Sequence, residues 1–335
     1  VIGGRLATVA TAVLLAGCTS VVDGHGGLAR SSHSPSRPAP SSATTAPTLP
    51  AGLLRAPAST ALGDPVTADL CAAIGLDALR GVGDLTPGLD ERQYPPGCSI
   101  TLRDGATPVV TVSVFAGHGL PDRESGRRKR MTSGRTIYTY RFDPRTGSCR
   151  RELKAAGLLL TVDAYPQDNA EPDRGLDCAA TDAMADRLAA VLADGAVPRL
   201  ALAAPSVSEL DACKVARRAA VTALPAFARA EVIPQGFGAS CELHAGSVFL
   251  FFNFAIAAAA HPAGARPSLV AGHQLYATAS QPALCSTEST QGRTAAGKYE
   301  QVVASATVSG SAPPSRLCRQ TAQALARYLT AAGLN

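Results

Sequence analysis

Cys178-Ala-Ala-Thr181 with Arg187-Leu188, and Cys318-Arg-Gln-Thr321 with Arg327-Tyr328, are two versions of one closing segment, and reading them together decides the fold. Each places a cysteine, a threonine and a run of apolar residues at helical spacing: Cys178, Thr181, Ala185, Leu188 and Leu192, or Cys318, Thr321, Leu325, Tyr328 and Leu329. Outward from these helices the repetition continues. The intervals Cys71 to Cys98, Cys98 to Cys149 and Cys149 to Cys178 return as Cys213 to Cys241, Cys241 to Cys285 and Cys285 to Cys318, each within a few residues. Gly134-Arg-Thr-Ile-Tyr138 matches Gly272-His-Gln-Leu-Tyr276, both just upstream of the third cysteine of their set. The chain is therefore read as two tandem copies of one domain. They meet in the Pro- and Ala-rich joint 196–205 and run over 64–195 and 206–335, an ordinary domain size.

Within each copy the pattern is helix, several strands, helix. Ser206-Val-Ser-Glu209 is a capping-box sequence, followed by Leu210, Cys213, Ala220, Val221 and Leu224 on an expected helix. Cys98-Ser-Ile-Thr-Leu102 and Cys241-Glu-Leu-His244 open strands. Val109–Phe115, Ile137–Phe142, Leu158–Val162, Phe249–Phe254 and Val302–Val308 supply further β-formers. Strands grouped between two helices, without βαβ alternation, predict an α+β fold: in each domain an antiparallel sheet flanked by N- and C-terminal helices.

Nine cysteines divide as one, Cys18, plus two sets of four. Pairing within the copies leaves three connectivities per domain. The expected one is sequential, Cys71 with Cys98, Cys149 with Cys178, Cys213 with Cys241 and Cys285 with Cys318; the nested arrangement, first with fourth and second with third, is the alternative. Loops of this size give about 3.5 kcal/mol per bond in the chain-entropy model, a useful sum for a chain without tryptophan. No C-x-x-C pair suggests zinc, and Cys241-Glu-Leu-His244 reads as a disulfide cysteine beside a strand histidine, so no metal is expected.

The N-terminus carries Arg5, the apolar run Leu6–Ala16, then Leu15-Ala16-Gly17-Cys18, which resembles the lipobox of bacterial lipoproteins. That resemblance implies a signal peptide over 1–17, removal of that peptide and diacylglycerol on Cys18, which removes the odd thiol and anchors the protein to the extracytoplasmic face of the cell membrane. Residues 18–63 are rich in Ser, Thr, Pro and Ala and read as a disordered tether. The apolar stretch 248–260 is too short to span a bilayer, carries Asn253, and reads as a buried strand with an Ala-rich turn.

A cysteine in the first helix, one opening a strand, one after a hairpin and one starting the last helix resemble an actinobacterial cysteine-containing lipoprotein family of unknown function. They are also similar to the extracellular sensor domains of some actinobacterial serine/threonine kinases. Both likenesses cover each half. Members often carry a tryptophan after the second cysteine, where this chain has Ser99-Ile100 and Glu242-Leu243. The sensor-like relatives imply ligand binding at the outer membrane face, and no functional residue carries over.

Nothing in the sequence marks catalysis: nucleophile elbows, HExxH, P-loops, Rossmann glycines and EF-hand loops are missing, and His25, His33, His118, His244, His261 and His273 are scattered. No enzyme and no cofactor is expected. The run Arg123–Arg130 reads as a solvated hairpin loop. A net charge of +5 without aromatic interleaving does not point to nucleic acid. Phe249, Phe251, Phe252 and Phe254 are strand-core residues or, as the functional alternative, the lining of an apolar ligand pocket. The expectation is a non-catalytic binding or sensor-like lipoprotein with an unknown small-molecule or protein partner. The alternatives are an envelope scaffold and, more distantly, a secreted hydrolase.

Overall fold

The computed structural model describes residues 48–118, 128–140, 148–167, 173–195, 197–281, 284–308 and 314–334. Cys18, the expected signal peptide, residues 18–47 of the expected tether and most of the basic run Arg123–Arg130 lie outside them.

The first half begins with α1 (Leu70–Ile74), continues through β1 (Thr86–Leu89), β2 (Arg92–Gln93), β3 (Gly97–Asp104), β4 (Thr107–Gly117), β5 (Arg128–Thr132), β6 (Arg135–Thr139), β7 (Cys149–Ala155) and β8 (Leu158–Pro166), and closes with α2 (Arg174–Asp194). The second runs α3 (Ala212–Arg218), β9 (Glu231–Gln235), β10 (Ser240–Ala245), β11 (Val248–Ala257), β12 (Arg266–Val270), β13 (His273–Gln281), β14 (Leu284–Arg293), β15 (Tyr299–Val308) and α4 (Pro314–Ala332).

The fold is α+β with two antiparallel sheets, and strand order shows the duplication. The first sheet is ordered β1-β3-β4-β8-β7-β6-β5 and the second β9-β10-β11-β15-β14-β13-β12, so each strand of one has its counterpart in the same place in the other. Detail repeats too. Arg130 faces Ile137 across the β5–β6 hairpin as Ser268 faces Leu275 across β12–β13. Both hairpins turn on two residues of positive φ, Ser133-Gly134 and Ala271-Gly272, the geometry that matches the twist of the flanking strands. Asp69 caps α1 and Asp211 caps α3, each accepting from the backbone three residues on.

Alternation puts one face of each sheet against its helices. Ile100, Val112, Val114, Leu160 and Val162 pack with Met184, Ala185 and Leu188 of α2 in the first core. Leu243, Leu250, Phe252, Val302 and Ala304 pack with Leu325, Tyr328 and Leu329 of α4 in the second. The four disulfides are sequential, Cys71–Cys98, Cys149–Cys178, Cys213–Cys241 and Cys285–Cys318, with Cα separations of 4.9 to 5.2 Å. Each pins a terminal helix to the sheet beside it.

Two boundaries differ from the sequence reading. Residues 48–63, assigned above to the tether, are folded: Leu49 and Leu53 are buried in the second core and Leu62 in the first. Three apolar side chains with deep sites to enter outweigh the disorder-prone composition around them. The helix expected after Ser206 is broken as well. The capping box forms, but on a single 3-10 turn, Val207–Glu209, and α3 starts only at Ala212.

The halves interlock. The joint is held by Asp69 N–H donating to the Pro198 carbonyl (2.9 Å), Leu200 N–H to Thr67 (2.8 Å), and Ala203 N–H and Ser206 Oγ to the buried Glu300 carboxylate (both 2.8 Å). β2, from the first half, pairs with Ile256 and Ala257, the end of β11 that β10 leaves free. Arg92 on β2 reaches the buried Glu288 and donates to Gln301 (3.1 Å). Phe237 and Ala239 of the second half sit in the first core. Residues 46–335 accordingly form one compact unit.

Candidate functional site

The phenylalanine cluster divides between the two faces of β11. Phe252 and Phe254 point into the core, Phe252 stacked on Tyr328 with ring centroids 4.7 Å apart, and burial pushes the Tyr328 phenol upward. Phe249 and Phe251 are half-buried on the opposite face, Phe249 edge-on to His244. None of the four lines either cavity described below.

A cleft of about 530 Å³ lies instead between α3, α4 and the tip of the β12–β13 hairpin. Its long wall is a helical stripe of α4, Gln323, Ala326, Arg327, Thr330 and Ala331, at the spacing that places residues on one face. The end of α3 contributes Arg218 and Ala219, and the turn after it Leu224. Val270 and Ala271 close the far side.

The equivalent surface of the first half carries an ion-pair bridge. There Arg130 of β5 reaches across to α2 and pairs with Asp182 (3.0 Å) and Asp186, while the buried Arg151 of β7 grips Asp182 through two bonds of 2.8 and 2.9 Å. Burial pushes the Asp182 carboxyl up, but Arg151 and Arg130 together hold it below the usual carboxylate range. In the second half Arg130 is replaced by Ser268, Arg151 by Thr287, and Asp182 and Asp186 by Ala322 and Ala326. All four groups of the ionic bridge are shorter in the second half, and of the four replacements Ala326 lines the cleft.

Two cations remain. Arg327, the counterpart of Arg187, donates to the Ala220 carbonyl (3.3 Å) as Arg187 does to that of Ile74 (3.2 Å). Arg218 is exposed at the rim. Among the described residues neither Arg218 nor Arg327 has an acidic partner, in contrast to Arg130 and Arg151. Thr330 donates to the Ala326 carbonyl (3.0 Å) and lies 2.8 Å from Nε2 of the buried His273, so it accepts from that nitrogen, and the hairpin is fastened to the helix there. Spacing along the chain does not reveal these residues. Superimposing the two copies on their cysteines does, because it sets Asp182 and Asp186 against two alanines.

A second cavity, about 360 Å³, lies on the seam between the halves, with Arg92 and Tyr94 on one side and His261, Ser286 and Ser305 on the other. His261 stacks on Tyr276 at 4.5 Å. Arg92, which lines this cavity, also makes the contacts to Glu288 and Gln301 that join the halves.

Among the described residues no group of three or more His, Cys, Asp or Glu side chains is arranged to hold a metal ion, and no helix is long and apolar enough to cross a membrane. No family model and no curated protein matches the chain. Among solved structures, the di-domain ARO/CYC StfQ from the steffimycin biosynthetic pathway aligns at 14% identity over 80% of this chain and 95% of that one. Its TM-score is 0.16, too poor a superposition to bear on fold or function.

Proposed function

We propose that the protein is a lipid-anchored, extracytoplasmic and non-catalytic binding module whose second half holds a small molecule in the cleft between α3, α4 and the β12–β13 hairpin. The observation that carries this reading is the contrast between copies. One fold carries an ion-pair bridge in the first half and a cleft in the second, whose arginines have no acidic partner among the described residues. The volume falls in the range of small-molecule sites, and apolar walls with a few convergent polar groups are their usual chemistry. The anchor is supported by parity: eight cysteines pair within the folded region, leaving Cys18 of the lipobox-like segment as the ninth.

Mass spectrometry of the protein extracted from its native membrane tests both parts. A non-covalent adduct present in native spectra and lost on denaturation is expected. The denatured, unreduced mass is expected to show a diacylglyceryl increment and no free thiol. Absence of any adduct would turn the reading toward a scaffold for an envelope protein. That second reading draws on Met131 and Leu269, which stand 66% and 77% exposed at equivalent positions beside the two hairpin turns.

A further inference from the structure

From the same cleft, and resting on the reading just given, we infer the chemical class of the occupant: an acyl or alkyl chain ending in one anionic group, held with its head between Arg218 and Arg327. Two features of the wall make the case. Leu224, Val270, Ala326 and Ala331 give it an aliphatic stretch beside the polar Gln323 and Thr330, and groups set against that stretch lose water without replacement. At the α3 end the two guanidiniums stand without a carboxylate partner among the described residues, and Arg327 spends one N–H on the Ala220 carbonyl. Guanidinium offers its forked donors to carboxylate and phosphate alike, and an arginine pair without acids repels cations. The occupant therefore has an apolar body and a negative head.

The inference also accounts for the asymmetry of the duplication. In the first half the equivalent position of α2 carries Asp186, bound to Arg130, which places a negative charge where the second half has Ala326. There the guanidiniums and carboxylates satisfy one another and offer an anionic amphiphile no free cation. Only one of the two copies is thus suited to this ligand.

The test is calorimetric titration of the full chain with dodecanoate, dodecyl phosphate, dodecanol and dodecyltrimethylammonium below their aggregation concentrations, with inorganic phosphate as a headgroup-only probe. Both anionic amphiphiles are expected to bind, the alcohol more weakly, and the cation and inorganic phosphate not measurably. Arg218→Gln and Arg327→Gln are each expected to weaken dodecanoate roughly fivefold while leaving dodecanol unchanged; Ala326→Phe, which fills the cleft, removes both. Melting curves confirm that the variants fold. Dodecanol binding as tightly as dodecanoate, or dodecanoate indifferent to both arginine variants but lost in Ala326→Phe, overturns the ligand class and leaves a binding cleft in place. Failure of every probe, with no adduct on the native protein, overturns the cleft as a site and the class with it.

Discussion

Asp177 and Asp182 sit five positions apart on α2 and respond to pH in opposite senses. Asp177 is fully buried, neither carboxylate oxygen has a hydrogen-bond partner among the described residues, and burial, with a smaller contribution from Asp173, pushes its pKa up to about 6. Its folded state binds the proton more tightly than the unfolded chain, so its ionisation adds no cost below pH 4. It becomes destabilising as pH rises from about 4 to about 6, by up to ~3 kcal/mol. Asp182, held low by its arginines, contributes stability above its ordinary value, and that stability is lost as pH falls through its depressed pKa. The second half has already made one of these replacements, since Leu317 stands where Asp177 does. Asp177→Leu is expected to raise the melting temperature at pH 7 and to gain much less at pH 4, whereas Asp182→Asn is expected to destabilise at pH 7. Thermal unfolding at the two pH values reads both; a gain from Asp177→Leu that is equal at both would contradict the assignment.

Hairpin and closing helix are the elements whose relation differs between the copies, and they can be exchanged. The triple variant Ser268→Arg, Ala322→Asp, Ala326→Asp rebuilds in the second half the bridge that Arg130, Asp182 and Asp186 form in the first. It is expected to fold, to close the cleft and to abolish the native adduct; an adduct retained at full strength would place the ligand elsewhere. The elements themselves were legible in the sequence because their signals are local. Cysteine intervals, helical spacing around Cys178 and Cys318, and β-branched runs led to helix, sheet, helix in duplicate, and to the sequential disulfides as the preferred pairing. The cleft was not legible for a physical reason. Phe249 to Phe254 attract attention by hydrophobicity, but hydrophobicity is what a sheet core needs, and two of the four spend it there. A cavity is made by side chains too short to meet. Ala326, on the wall of the cleft, is unremarkable until Arg130 is seen to reach Asp182 and Asp186 across the hairpin. The end of the tether was missed because composition averages over a window, while Leu49 and Leu53 act singly in pockets formed by residues of the other half.

At the scale of the whole molecule, the halves trade parts. Leu49 and Leu53 precede the first half but belong to the second core, Phe237 and Ala239 do the reverse, and Arg92 crosses to a glutamate that is 2% exposed. Two homologous domains on a free joint would melt in two steps. This arrangement is expected to unfold in one calorimetric transition whose measured enthalpy equals the van't Hoff value. Arg92→Ala leaves Glu288 buried without its cation, a loss of about 3 kcal/mol, and is expected to lower that single transition; two resolved transitions in the parent protein would contradict the interlock. The disulfides do not take part in this exchange, for each joins neighbours along the chain, 27 to 33 residues apart. An oxidant meeting the eight cysteines from Cys71 onward in order of synthesis would join each to the next in successive pairs, and every such bond would be native. The covalent framework can thus be completed as the chain emerges without an isomerase to correct it, while the exchange of core residues waits for the last helix to emerge.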